Sequence, residues 1–528
     1  MMEYYWSQPY PSIRRPVLAK NIVATSQPLA AQAGLEMLWR GGNAMDAALA
    51  TAIALTVVEP TSNGIGSDVF VLFNQGNRLF GLNASGKSPK AWSMEHFSKY
   101  DKMPFHGWDT VTIPGAVSAW VECSRQYGKL SFAELFEPAI QYANEGFLVS
   151  PGIASLWDWS VDMLRGHDDF MSTFTIDGRA PKAGELFKSP HHAKTLEMIA
   201  ETEGEAFYRG ELAERIVAHA KAGGGLHSLD DLAAHQAEWV EPLSMDINNL
   251  DLYEIPPNGQ GLAALIAVGI CREFNLGDMT PDSADALHIQ LEAMKLAFAD
   301  LHSHVADPSS MQVPPDHFLD PAYLKQRAAE IDLKEAGNPQ TGIPLKGGTV
   351  YLCSGDKDGM MVSLIQSNFA GFGSGLVVPE TGISLQNRGA CFILDENRPN
   401  CVGGSKRPLH TIIPGMICQN GKPKSAFGVM GGHVQPQGHL QMVLRLTFWN
   451  QNPQAALDAP RWMTGAGNEV SLEEGFDQSV IEELASRGHR ITIKPVGPSF
   501  GGGQFVWKMD DGYLGASDPR KDGQAVGF

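Results

Sequence analysis

The sequence predicts an α+β fold in a large globular chain, and three observations lead there. Of 528 residues, 43% are hydrophobic and 19% charged, a composition that buries a substantial core. The first part alternates helical and strand signals, and the pattern switches to strands after about residue 348. No internal repeat or low-complexity tract interrupts either part. Length alone leaves two or three ordinary domains, or one large layered one, open.

Charge and composition narrow the function. A net charge of -19 repels nucleic acid and anionic membrane, so neither is expected as a partner. The first residues, MMEYYWSQPYPSIRRP, lack a basic stretch followed by an apolar one, so no signal peptide is expected and a cytoplasmic location is. The longest apolar run, Ala47 to Val58, is too short to span a bilayer and predicts a buried helix. Cys123, Cys271, Cys353, Cys391, Cys401 and Cys418 form no CxxC pair, which fits a reduced compartment and argues against structural zinc. His433 and His439 lie six apart with no third ligand, too little to predict a metal; no cofactor is expected.

The elements follow in order. Gly41-Gly42-Asn43 precedes an Ala-rich helix over about 44–57. Asp68 to Leu82 reads as two strands around a turn at Asn74 to Asn77. Leu287, Leu291, Met294 and Phe298 line one face of a helix that starts near Ser283. Glu335 to Gly348 is a Gly/Pro-rich linker. Strands are expected at Val350 to Cys353 and Met361 to Ser367, joined by the turn Asp356-Lys357-Asp358-Gly359. Later strands fall near 425–430, 490–494 and 504–508, and helices over Gly438 to Trp449 and Gln478 to Arg487.

The hairpin carries the chemistry. Antiparallel pairing about that turn sets Thr349 within about one residue of the position opposite Gln366 and Ser367. A linker thus ends at Gly348, a threonine opens a strand, and the hydroxyl of Ser367 lies beside it. Taken blind, Thr349 is an ordinary strand threonine. If the bond after Gly348 is cut, it supplies both a nucleophilic hydroxyl and an α-amino base. Gly431 and Gly432 follow a strand and precede a helix, where paired glycines either make a tight turn or turn N–H groups toward an oxyanion.

Collinear motifs then decide between these readings. GGNAMDAALATAIALTVVEP at 41–60, TIPGAVSAW at 112–120 and SADALHIQLEAMKLAFADLH at 283–302 resemble the γ-glutamyltranspeptidase superfamily of N-terminal-nucleophile hydrolases. So do the block from Gly348-Thr349-Val350-Tyr351 to Gly359, SKRPLHTIIP at 405–414, Gly431-Gly432 and DPRKDGQAVGF at 518–528. The resemblance implies a four-layer αββα sandwich. It implies a precursor that cleaves itself into a large chain, 1–348, and a small chain, 349–528, which stay together as one domain. It implies Thr349 as nucleophile, Ser367 as its helper, Gly431 and Gly432 as the oxyanion hole, and Asn368 in the site. A pair of such heterodimers is the assembly considered.

Departures from the family pattern bear on the substrate. The arginine that holds a glutamate α-carboxylate falls on Ser85, with Lys87 two residues on. The aspartate for the α-ammonium falls on Cys391, its acidic neighbour on Ala390, and Arg388 stands where the family has Gln or Glu. The local charge is reversed, and a guanidinium there suits a carboxylate. His410 and Thr411 replace paired serines, and the lid from Ile393 to Gly404 is short. The expected activity is therefore hydrolysis of a small carboxylated amide, oxamate of purine-nitrogen breakdown being the favoured candidate. The alternatives are γ-glutamyl hydrolysis or transfer, a glutaryl-type β-lactam acylase, and an uncleaved binding protein of the same fold.

Overall fold

The structure, a computed structural model, describes residues 12–339 and 348–528. Most of the linker, 340–347, lies outside the described residues.

Two seven-stranded sheets organise the described residues. Their strands are β1 Val17–Ala19, β2 Ile22–Thr25, β3 Asp68–Gln75, β4 Arg78–Asn83, β5 Glu238–Val240, β6 Leu243–Ile247 and β7 Leu250–Glu254. The rest are β8 Gly348–Gly355, β9 Met361–Phe369, β10 Gly415–Gln419, β11 Lys422–Met430, β12 Gly502–Lys508, β13 Tyr513–Ser517 and β14 Gln524–Gly527. One sheet runs β14-β2-β8-β9-β3-β4-β5, the other β1-β13-β12-β11-β10-β7-β6.

Alternation along the strands builds the layers. Phe70 and Leu72 of β3, Tyr351 and Cys353 of β8, and Met361 and Ile365 of β9 meet Met416, Ala426, Met430 and Val506 of the other sheet. The intervening Val69, Val71, Val350, Leu352 and Leu364 face the opposite way, onto helices α1 Pro28–Trp39, α2 Ala44–Val58 and α3 Ala116–Tyr127. Phe427, Val429 and Phe505 likewise face α4 Gly261–Arg272, α5 Ala284–His304 and α6 Val434–Thr447. The result is the four-layer αββα sandwich that the sequence predicts.

Local chemistry fixes the key elements. The side chain of Asn43 accepts from the N–H groups of Met45 and Asp46, and Asp46 returns the bond to Asn43 N, a closed capping box at the start of α2. Every residue of α2 is buried, as the apolar run predicts. Ser283 caps α5 as expected. In the hairpin turn, Asp356 Oδ1 accepts from Asp358 N and Met360 N, and Gly359 takes φ +97. One expectation needs correction. The helix placed at Gly438 starts four residues earlier, at Val434, directly after the paired glycines. Pro436 sits in its first turn, where a missing N–H costs nothing, so it does not delay the start.

The two sheets lie close together at Gly428. A Cβ there meets the Tyr351 ring at 2.5 Å, while the Tyr351 hydroxyl binds Ser363 Oγ at 2.7 Å. Gly428→Ala therefore forces the sheets apart; it is expected to cost about 1–3 kcal/mol, the scale of an overpacked core. Thermal unfolding beside the wild type checks this, and an unchanged midpoint refutes the contact.

Candidate active site

Thr349 sits where the strand pairing is irregular. Gly348 pairs with Phe369 and Val350 with Gln366, so the ladder shifts between them and Thr349 faces Ser367 and Asn368 across a bulge. The two hydroxyls, Thr349 Oγ1 and Ser367 Oγ, are 3.1 Å apart. Both strands are central ones, paired on their outer sides by β2 and β3. Thr349 is 2% exposed and Ser367 fully buried.

Ser367 is the hub. Its hydroxyl donates to Gly348 O at 2.8 Å, the carbonyl of the bond before Thr349. It accepts from Phe369 N at 2.8 Å. Phe369 carries φ +73, a conformation that a bulky side chain adopts only under constraint. The Phe369 ring then supports Arg388, whose guanidinium carbon lies 4.6 Å from the ring centroid.

Arg388 has unusual surroundings. It is completely buried, and Nη1 donates to Thr411 Oγ1 at 2.7 Å. Nη2 reaches Ser367 Oγ at 3.5 Å, and Nε has no partner among the described residues. Among the described residues it makes no ion pair; its Nη1 also donates to Cys391 Sγ at 3.9 Å. Burial lowers its pKa, yet a guanidinium stays charged at any ordinary pH.

Asp68 pairs with Ser367 across β3 and β9. Its Oδ2 lies 3.0 Å from His410 Nε2, and its Oδ1 accepts from Gly86 N. His410 Nδ1 accepts the N–H of Ile412, so Nε2 carries the proton and donates to Asp68. Burial, with Arg388 and Arg407 nearby, holds the His410 pKa far below its ordinary value, and the ring is neutral. Burial pushes the Asp68 carboxyl up to about 7.

The glycine turn fits its expected place between β11 and α6. Gly431 has φ +131 and Gly432 φ +63. Gly431 O accepts from Val434 N, and Gly432 O from Gln435 N and from Gln260 Nε2 at 2.8 Å. Both carbonyls are thus turned into the helix start. In a trans peptide the N–H points opposite to its carbonyl, so Gly432 N faces away from the helix. The Gln435 amide also points at the site: Nε2 lies 3.5 Å from Thr349 Oγ1.

Not every sequence candidate reaches Thr349. Ser85 is buried, but its hydroxyl donates to Asn83 Oδ1 at 2.7 Å, and Arg407 holds its carbonyl. Lys87 is exposed, and its charge falls on Glu238 and His235. Asn368 is spent on Ser67 and Ser384. His410 serves Asp68, and Thr411 serves Arg388. Sequence reasoning missed Gln435, Phe369 and Asp68. Their partners come from distant segments, and a Gln before a Pro carries no local signal.

His433 and His439 diverge. His439 binds Glu254 at 2.6 Å, whereas His433 packs near Phe298 and His302. His288, Glu292 and His489 do bring three buried ligand atoms within 4.8 Å of one another. Lys295 Nζ lies 2.6 Å from Glu292 Oε1, so an ammonium already fills the cationic place. No helix among the described residues is long and apolar enough to cross a membrane.

With this geometry the comparisons fall into place. The gamma-glutamyltranspeptidase family profile matches residues 30–528. The chain belongs to the γ-glutamyltranspeptidase family. It is 36% identical to the glutathione hydrolase-like YwrD proenzyme of Bacillus subtilis, covering 96% of this chain and 98% of that one. It is 34% identical to the oxamate amidohydrolase proenzyme of Klebsiella pneumoniae, covering 95% and 97%. A crystal structure of cephalosporin acylase from Bacillus halodurans superposes with a TM-score of 0.96 at 47% identity, over 100% of this chain and 99% of that one. The γ-glutamyltranspeptidase family brings N-terminal-nucleophile amide hydrolysis or transfer, and a proenzyme processed into large and small chains. The protein is accordingly an amide-bond hydrolase.

The Asp68 carboxyl gives this site a pH signature. Its folded pKa of about 7 lies above that of an unfolded aspartate, so its protonated form is stabilising. That stability is full below about pH 4 and is lost as pH rises through 7. Relative to Asp68→Asn, the wild type is expected to lose stability across this window, read from denaturant midpoints. Parallel curves for the two proteins would contradict the assignment.

Proposed function

We propose that the protein cleaves its own Gly348–Thr349 bond and then hydrolyses a short carboxylated amide, with oxamate, giving oxalate and ammonia, as the favoured substrate. A cytoplasmic role in purine-nitrogen breakdown belongs to the same reading. One observation carries it: a completely buried guanidinium, Arg388, lacks an ion-pair partner among the described residues and lies two hydrogen-bond steps from Thr349 Oγ1, through Ser367 at 3.5 and 3.1 Å. A buried, unpaired cation is costly, and a substrate carboxylate would complete it. So short a path suits an acid whose carboxylate adjoins the amide carbonyl.

In maturation, Thr349 Oγ1 attacks the Gly348 carbonyl carbon. The charge grows on Gly348 O, to which Ser367 already donates at 2.8 Å. The peptide nitrogen takes up the proton that Oγ1 loses and leaves as the new α-amine of Thr349, and water hydrolyses the ester that links the halves. In turnover, Arg388 binds the carboxylate and places the amide carbonyl against Oγ1. The freed amine takes the hydroxyl proton and passes it to the leaving nitrogen. Gly431 and Gly432 offer N–H groups to the oxyanion. Water then resolves the acyl-enzyme.

The similarity to a cephalosporin acylase over the whole chain favours a second reading, an acylase for a glutaryl-type side chain. That acid also ends in a carboxylate, but its carboxylate lies several bonds farther from the amide.

Two measurements test the proposal. Intact mass is expected to show two fragments, 1–348 and 349–528, in the wild type and one uncut chain in Thr349→Ala; a wild type that stays whole refutes the nucleophile. For Arg388→Met, kcat/KM for oxamate, followed by ammonia release, is expected to fall roughly 10²–10³-fold, the scale of removing one partner of a buried charge pair. Faster turnover of a glutaryl-β-lactam or a γ-glutamyl anilide than of oxamate would shift the substrate to that class.

A further inference from the structure

We infer that Gln435 is a further catalytic residue, whose side-chain amide donates to the oxygen of the nucleophile. This rests on Thr349 being that nucleophile. Gln435 is the second residue of α6, three beyond Gly432, and is completely buried. Its orientation is fixed from outside the site. The backbone N–H of Ile413 lies 2.9 Å from Oε1 and needs an acceptor, so the carbonyl oxygen must face it. The NH₂ group is thereby turned away from Ile413 and toward Thr349, with Nε2 3.5 Å from Oγ1. Thr349 Oγ1 is its one hydrogen-bond partner among the described residues. An amide N–H cannot accept, so it is the donor.

Ile413 cannot drift away. Gln260 Nε2 donates to the carbonyls of both Thr411 and Gly432, tying the strand-like segment before Ile413 to the glycine turn. One buried frame therefore sets the Gln435 amide and the Gly432 peptide together. Such prior positioning is what makes a donor effective in a transition state. The contact is long in the resting enzyme, and catalytic hydrogen bonds of this kind tighten in the reacting complex.

The gain falls on the step that frees the enzyme. Water adds to the carbonyl of the acyl-enzyme, and the Thr349 amine takes its proton. The tetrahedral intermediate collapses, the C–Oγ1 bond breaks, and its electron pair goes to Oγ1. Oγ1 recovers the proton from the amine. The charge that develops on Oγ1 meets one Gln435 N–H, and the second N–H remains for the neighbouring oxyanion.

Gln435→Glu separates this role from a structural one. It keeps an oxygen for Ile413 N–H and nearly the same volume, but replaces the donor with an acceptor. The experiment measures kcat and KM per cleaved chain, with cleavage counted by intact mass and folding by the thermal midpoint, from pH 5 to 8. The expected result is a 10²–10³-fold loss in kcat with KM changed less than about threefold. The deficit against the wild type should shrink as pH falls, because a protonated Glu regains an O–H donor. A folded variant that never cleaves reads the same way, since maturation uses the same Oγ1. A wild-type kcat, a change confined to KM, or a loss equal at every pH and matched by a lowered midpoint overturns the inference. A wild type that is itself uncut condemns Thr349 instead, which keeps the two failures apart.

Discussion

The pairing of β8 with β9 is the constraint on which the rest of the site depends. These are inner strands of one sheet, fixed on both sides, and their side chains alternate between two cores. A slip of one residue would exchange every inward and outward side chain, so the register is held by the whole sandwich. Within that register a single bulge opens opposite Ser367, and Thr349 lies in it. Beside the bulge, the Ser367 hydroxyl binds the Gly348 carbonyl. Thr349, the second residue of its strand, thus gains a fixed neighbour without any loop being asked to hold it.

Charge around this pair is arranged with equal economy. Arg388 is the cation within reach of Ser367, stacked on Phe369 and held by Thr411. Asp68 is engaged by neutral His410. The pocket therefore keeps a positive end beside neutral hydroxyls. The strained φ of Phe369 belongs here too: its N–H feeds Ser367 while its ring lies under the guanidinium.

Much of this was legible in the linear chain because it rests on local chemistry. The Asp356 turn, the Asn43 and Ser283 caps and the buried run of α2 each depend on residues a few positions apart. Thr349 beside Ser367 follows from counting outward from that turn. The start of α6 was placed four residues late, although Pro436 fits the first turn of a helix. The candidates at Ser85, Lys87, Asn368 and His410 share another fault. Each is polar and near a family motif, but other groups use the hydrogen-bonding capacity of Ser85, Asn368 and His410 first, and Lys87 is exposed.

By itself, then, the sequence determined the layered α+β class, the hairpin, the glycine turn and the place of Thr349 beside Ser367, all of which follow from short-range spacing or from collinear motifs. The tertiary structure decided which polar groups remain free to act. That choice depends on partners far apart in the chain: Ile413 turning the Gln435 amide, Thr411 and Phe369 holding Arg388, and His410 occupying Asp68. A buried hydrogen bond goes to whichever partner packing brings nearest, and only the folded layers set that distance.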